Sequence, residues 1–227
     1  MTTISANLQA VLARVSAAAQ NCGRQPADIR VLAVSKTWPA SCVRGAVAAG
    51  QTAFGENYVQ EAVDKIHALA LPGLEWHFIG PLQGNKTRQV AENFHWVHSI
   101  DRLKIAERLS QQRPSGLPPL QVCLQVRIGD EDSKSGLEAA DIPSLATQVA
   151  RLPRLRLRGL MSIPAPSGDF AQQRRSFRQV RELHEQLNQS GLALDTLSMG
   201  MSNDLEAAIA EGATLVRVGT AIFGERN

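Results

Sequence analysis

Cysteine is scarce and badly placed for structure-building. The three thiols, Cys22, Cys42 and Cys123, are scattered, odd in number and without a Cys-x-x-Cys pair. That argues against a disulfide framework or a zinc site and fits reduced thiols in a cytosolic protein. Histidine supplies no metal site either. Of five histidines only His95 and His98 are close in the chain, and in a strand they would face opposite ways. Long apolar runs are missing, with no stretch approaching the ~20 uncharged residues of a membrane helix. The opening Met1-Thr2-Thr3-Ile4-Ser5-Ala6-Asn7-Leu8 has neither the basic nor the apolar region of a signal peptide, so a cytoplasmic location is expected. Charge of one sign is not concentrated. The 24 Lys and Arg are interspersed with 21 Asp and Glu, whereas nucleic-acid binding wants a basic stripe. The densest group, Arg151, Arg154, Arg156 and Arg158, alternates with apolar residues and reads as a solvated strand face.

Internal repeats, low-complexity segments and domain linkers are also absent. The 227 residues, 44% of them hydrophobic, suffice for one large domain with a sizeable core. Ile4, Leu8, Val11, Leu12 and Val15 have helical spacing over 4–22, with Ser5 as a cap and Gly23 with Pro26 as the stop. Strand-like runs follow at 29–36, 52–54, 75–80, 95–100, 120–128, 155–163, 194–198 and 215–219. Helical segments lie between them at 39–49, 58–69, 85–93, 101–111 (Asp101 as N-cap), 138–151, 169–189 and 204–211. Eight strands alternating with helices predict an α/β fold of parallel units closing into a single (β/α)8 TIM barrel spanning 1–227, with the extra N-terminal helix in place of an eighth barrel helix. A doubly wound open sheet is the alternative. It would advertise Gly-x-Gly-x-x-Gly after the first strand, where this chain has Ser35-Lys36-Thr37-Trp38.

In such a barrel the functional groups lie where strands end. The first strand, Ile29-Arg30-Val31-Leu32-Ala33-Val34-Ser35-Lys36, delivers an amine to its tip, and burying a lysine amine depresses its pKa and makes it nucleophilic. Ser202 or Asn203 can cap helix 204–211, and Gly219-Thr220 follows the eighth strand. Both look like anion sites, at the loops where barrels commonly hold phosphate. Asp204 and Glu206 would oppose a phosphate unless they face away. Arg217, two residues before Gly219, shares its strand face and needs a partner if it points inward. A lysine amine, a phosphate cup and an inward arginine together suggest a phosphorylated carbonyl cofactor held as a Schiff base, which is pyridoxal phosphate chemistry. A barrel binding a phosphosugar without covalent chemistry is a weaker reading.

Several ordered motifs carry a family resemblance: Val34-Ser35-Lys36, Phe54-Gly55-Glu56-Asn57, Trp76-His77-Phe78-Ile79-Gly80-Pro81-Leu82-Gln83-Gly84-Asn85-Lys86, Ser133-Lys134-Ser135-Gly136, Arg158-Gly159-Leu160-Met161, Leu197-Ser198-Met199-Gly200-Met201-Ser202 and Val216-Arg217-Val218-Gly219-Thr220-Ala221-Ile222-Phe223-Gly224. From about Ala33 to Gly224 the chain resembles the pyridoxal phosphate homeostasis proteins, which look like the barrel domain of alanine racemase standing alone. The resemblance implies Lys36 as the Schiff-base lysine and Ser202, Gly219 and Thr220 around the phosphate, with the backbone near Met201 assisting. It also implies Arg217 at the pyridine nitrogen and Asn57 near the ring. An arginine keeps its protons, so it can only donate to that nitrogen and leaves the ring a weaker electron sink than a pyridinium would be.

The implied function is therefore a non-catalytic protein that holds pyridoxal 5'-phosphate and buffers or delivers it, with apo-enzymes as recipients and no catalytic residues of its own. The rival is a racemase-like enzyme with an open site. Racemisation needs acid/base groups on both cofactor faces, and the racemases' second base comes from another domain. The one tyrosine here, Tyr58, follows the second strand; it is expected to pack or line a helix, since a phenol with pKa near ~10 is a poor base. Without that second domain a monomer is expected. Lys134 is a polar loop lysine or a secondary cofactor contact, and His77 is a partnered core histidine or a residue of the barrel mouth.

Overall fold

The computed structural model describes residues 3–129 and 136–225. After α1 (Ile4–Asn21) come β1 (Arg30–Val34), α2 (Ala40–Ala48), β2 (Ala53–Glu56), α3 (Val59–Leu69), β3 (Glu75–Phe78), α4 (Thr87–Asn93), β4 (Trp96–Ile100) and α5 (Leu103–Gln112). The second half has β5 (Leu120–Val126), α6 (Ile142–Ala150), β6 (Leu155–Ser162), α7 (Phe170–Gln189), β7 (Thr196–Ser198), α8 (Leu205–Ala210), β8 (Leu215–Val218) and α9 (Thr220–Phe223). The strands form one closed barrel in sequence order. Every neighbouring pair is parallel, and β1 closes against β8 with Leu32 opposite Arg217. The open doubly wound sheet is thereby excluded.

Both faces of each strand are covered, which is why the strands read as near-continuous apolar runs. Alternate residues divide between two layers. Trp76 and Phe78 of β3 point outward into the main sheet–helix core, whereas Leu32, Ala53 and Leu215 meet Ile79 in a separate cluster inside the barrel. Trp96, Cys123 and Met161 form a further small cluster. Gly159 marks a close approach between β6 and β7: a Cβ there would overlap the Thr196 carbonyl.

Several boundaries differ from those the sequence suggests. Thr3, not Ser5, caps α1, its side chain accepting from Ala6 N at 3.2 Å. β1 stops at Val34, so Ser35 and Lys36 lie just beyond the ladder, while β2 runs on through Gly55 to Glu56. Asp101 does not cap α5. Its carboxylate instead takes both oxygens to Arg102 Nη1, at 2.8 and 2.9 Å. The N-cap of α8 is Asp204, not Ser202 or Asn203, because the chain makes a further turn there before the helix begins. The short α9, straight after β8, carries none of the length or periodicity that signals a helix.

Candidate functional site

Residues after β1, β2, β6, β7 and β8 converge on a cavity of about 480 Å³ at the C-terminal end of the barrel. Its wall includes Lys36, Asn57, Met201, Ser202, Arg217, Gly219 and Thr220, all seven of the residues anticipated as one site. The wall also includes Ile163, Pro164, Pro166, Ser167 and Gly168 of the β6–α7 loop, with Gln173 of α7 and Asp204. Nothing in that loop's composition marks it as functional, and only the closed topology brings it across from Lys36. Lys134 falls outside the described residues.

The half-buried Lys36 is braced on both sides. Ser35 donates its hydroxyl to Glu56 Oε1 at 2.6 Å, and Ser35 O accepts from Lys65 Nζ at 2.7 Å. Lys65 also bonds Glu56 at 2.7 Å and Glu61 at 2.5 Å, and Glu61 accepts from Thr37 N at 2.6 Å. Thr37 is held at φ +67°, a left-handed conformation that a non-glycine residue adopts only under such constraint. Burial pushes the Glu56 carboxyl above its ordinary range, with the Lys65 ammonium pulling the other way. The sequence gives no hint of Lys65, which lies on the buried face of α3.

Arg217 points into the barrel and is only 4% exposed. Its Nη1 donates to Ser198 O and Oγ at 2.5 and 2.9 Å, and its Nη2 to Ser162 O at 2.8 Å. Burial lowers its pKa to about 10, so the guanidinium stays charged at neutral pH. Of its five N–H donors, three are thus committed to protein oxygens and two remain for the cavity it lines.

The anion end differs in detail from expectation. Met201 N–H donates to Asp204 Oδ1 at 2.5 Å and is therefore committed within its own turn. Burial raises the Asp204 carboxyl, which lessens its opposition to an anion. Glu206 faces away, ion-paired to Arg14 of α1 at 2.7 Å. With six residues, α8 is too short to contribute much of a dipole. Gly219 packs against β1: a Cβ would stand 3.3 Å from Val34 O, so the bare backbone leaves the passage open. The first hydrogen bond of α9 is made by Ile222 N, which leaves the preceding Thr220 and Ala221 N–H groups outside the helical ladder. The Ser202 and Thr220 hydroxyls make no hydrogen bond among the described residues.

Asn57 provides a further mark of an intended ligand. Its Oδ1 is buried in the cavity wall with no hydrogen-bond partner among the described residues, a state that costs about 1–3 kcal/mol unless something donates to it. An amine, a charged donor, two hydroxyls and an orphaned acceptor together fit a phosphorylated aromatic aldehyde carrying a ring hydroxyl.

Two buried histidines lie below the cavity: His77, which the sequence leaves open between core and mouth, and His98, which it does not single out as a site. His77 and His98, both fully buried, join ring to ring at 2.9 Å, and His98 Nδ1 lies 2.8 Å from Ser198 Oγ. Burial drives the His77 pKa down to about 4 and that of His98 well below its usual value. His77 is thus a partnered core histidine, not part of the mouth. Tyr58 is exposed beside the barrel and is not packed as expected.

The fold and cavity define a class, the alanine racemase barrel. The family model described as "Alanine racemase, N-terminal domain" matches residues 6–227. Across its full length the chain is 61% identical, over 227 residues, to the pyridoxal phosphate homeostasis protein of Pseudomonas aeruginosa, covering 97% of that relative. PipY of Synechococcus elongatus, solved with pyridoxal phosphate bound, superposes with a TM-score of 0.82 at 40% identity, over 92% of this chain and 100% of that one. Alanine racemase of Corynebacterium glutamicum shares the fold, with a TM-score of 0.72 at 16% identity over 96% of this chain and 62% of its own. The chain belongs to the family of pyridoxal phosphate homeostasis proteins.

Proposed function

We propose that this protein binds pyridoxal 5'-phosphate covalently on Lys36 and serves as its holder, buffering or delivering the cofactor without turnover of its own. The observation that carries the reading is the single cavity in which Lys36, Arg217, the unpartnered Asn57 oxygen and the Ser202 and Thr220 hydroxyls meet. The Lys36 amine would add to the aldehyde carbon, with the carbonyl oxygen leaving as water, so capture is reversible by hydrolysis. Ser202, Gly219 and Thr220 would hold the phosphate through hydroxyl and backbone donors, Asn57 would accept from the ring, and Arg217 would donate to the ring nitrogen. When bound, the cofactor supplies an electron sink, and a nitrogen that only accepts from arginine keeps that sink weak.

The same wall argues for holding over turnover. Racemisation would need proton-transfer groups on both faces of the ring. Among the described residues, the titratable side chains lining the cavity are Lys36, Asp204 and Arg217; Arg217 retains its protons and Asp204 is tied to Met201 N. The working unit we propose is one barrel acting as a monomer in the cytoplasm, with apo-enzymes as recipients.

The loaded protein should show an imine absorbance band, and borohydride should fix the cofactor on Lys36. Lys36→Ala should abolish both, and a band surviving in that variant would remove Lys36 from its role. Exchange of the α-hydrogen of added alanine for solvent deuterium, measured against free cofactor, separates holder from enzyme. A rate above the free-cofactor background would overturn the holding reading. Transfer to an apo-enzyme in the presence of a scavenger of free aldehyde tests delivery.

A further inference from the structure

A line of polar side chains runs through the barrel, from the Arg30–Glu75 ion pair at the start of β1 and β3 to Arg217 under the cavity. In order it passes Glu75, His77, His98, Ser198 and Arg217, drawn from β3, β4, β7 and β8. The ring–ring and ring–hydroxyl separations are 2.9 and 2.8 Å, and Arg217 Nη1 reaches Ser198 Oγ at 2.9 Å. At the other end His77 Nε2 stands 2.7 Å from Glu75 Oε1, close in distance though off the axis of a hydrogen bond. Glu75 is anchored there by Arg30 Nη1 at 2.6 Å. Burying three polar side chains of this kind inside a barrel is costly unless each is satisfied.

The direction of every proton in the line follows from one end. Arginine has only donors, so at Ser198 Oγ it donates. The serine proton must then find another acceptor, and His98 Nδ1 is within reach. A neutral His98 with a bare Nδ1 carries its proton on Nε2 and gives it to His77 Nδ1. His77 in turn carries its proton on Nε2, facing the Glu75 carboxylate. The opposite polarity would leave the serine proton unplaced and would set a bare His77 nitrogen against that carboxylate at 2.7 Å.

We propose that Ser198, His98 and His77 form a one-way hydrogen-bond chain that positions Arg217, so that its remaining N–H groups present themselves to the ring nitrogen of the cofactor. These are positioning residues and touch no ligand. The cofactor end of the proposal rests on the function proposed above, while the tautomers do not.

The test has two arms. In the protein without cofactor, nitrogen NMR of labelled histidine should show both His77 and His98 as Nε2–H tautomers. In the protein loaded with pyridoxal phosphate labelled at the ring nitrogen, Ser198→Ala and His98→Gln should move that nitrogen resonance. Retention of the cofactor should fall about 3–10-fold, the loss of roughly one hydrogen bond, with borohydride still fixing it on Lys36. Ser198→Thr, which restores the hydroxyl, should recover the native resonance. An Nδ1–H tautomer at His98 in the native protein would overturn the chain. An unmoved ring-nitrogen resonance in Ser198→Ala, the mildest of these changes, would overturn the positioning role even if His98→Gln failed to fold. Failure of borohydride to fix any cofactor on native Lys36 would sink the cofactor reading and the cofactor end of this proposal, and the histidine measurement would still decide the chain.

Discussion

Arg217 makes three hydrogen bonds to protein oxygens while lining the cavity, so removing it acts in two ways. Arg217→Ala should weaken cofactor retention about 10–100-fold, the range for a lost charge-assisted hydrogen bond, without preventing covalent capture. Equilibrium dialysis checks the first and borohydride fixation the second, and an unchanged affinity would take Arg217 out of the site. It should also lower stability, because buried oxygens at Ser162 and Ser198 lose their donor. At this scale the sequence is unevenly legible. Lys36, Ser202, Gly219 and Thr220 announce themselves because strand ends and glycine-hydroxyl pairs are local features. Arg217 is legible by its spacing from Gly219. His77 stays ambiguous because its partner His98 lies 21 residues away in the chain, and Lys65 is not legible, since its tie to Ser35 spans 30 residues and only helix packing against the barrel brings it there.

Elements are located well and bounded less well. Each strand expected from its apolar run is present, because burial on two faces writes a continuous signal. The ends depend on hydrogen bonds with other segments, which is why β1 yields Lys36 to the loop and β7 shrinks to Thr196–Ser198. The contact between β6 and β7 is set by a missing side chain. Gly159→Ala would drive a methyl group into the Thr196 carbonyl, and backbone cannot yield as a flexible side chain can. A loss of roughly 3 kcal/mol or more is expected, beyond the ordinary range for a single added methyl group. Gly116→Ala, where an added Cβ meets nothing within 4 Å, is the control, and urea midpoints of the two variants make the comparison.

For the whole molecule the buried histidines make stability depend on pH. In the unfolded chain a histidine takes up its proton near ~6.5, whereas folded His77 resists until about 4. Between those values the unfolded state binds more protons, so the His77 contribution is present at neutral pH and is lost as pH falls, on the order of 3 kcal/mol in all. His98 works in the same direction. Glu56, its carboxyl raised by burial, works in the opposite one above ~4.5, so the comparison must be with a variant. His77→Gln should flatten the fall in urea midpoint between pH 7 and pH 4.5, and an identical fall in both proteins would refute this account.

The three thiols report on the same architecture. Cys123 is enclosed in the barrel with its pKa pushed up to about 12, Cys42 is half-buried, and Cys22 is exposed at the end of α1. Native protein should therefore be alkylated first at Cys22, as peptide mapping would reveal. Two bonds lace that helix to the surroundings of the anion site, Arg14 to Ser202 O and the Asn7 amide to Ile222 O of α9, while Arg24, beyond its end, donates to Ile209 O of α8. A single fluorophore on Cys22 would then sit on a lever whose far attachments border the cavity, and the protein could be read optically as a gauge of its own cargo.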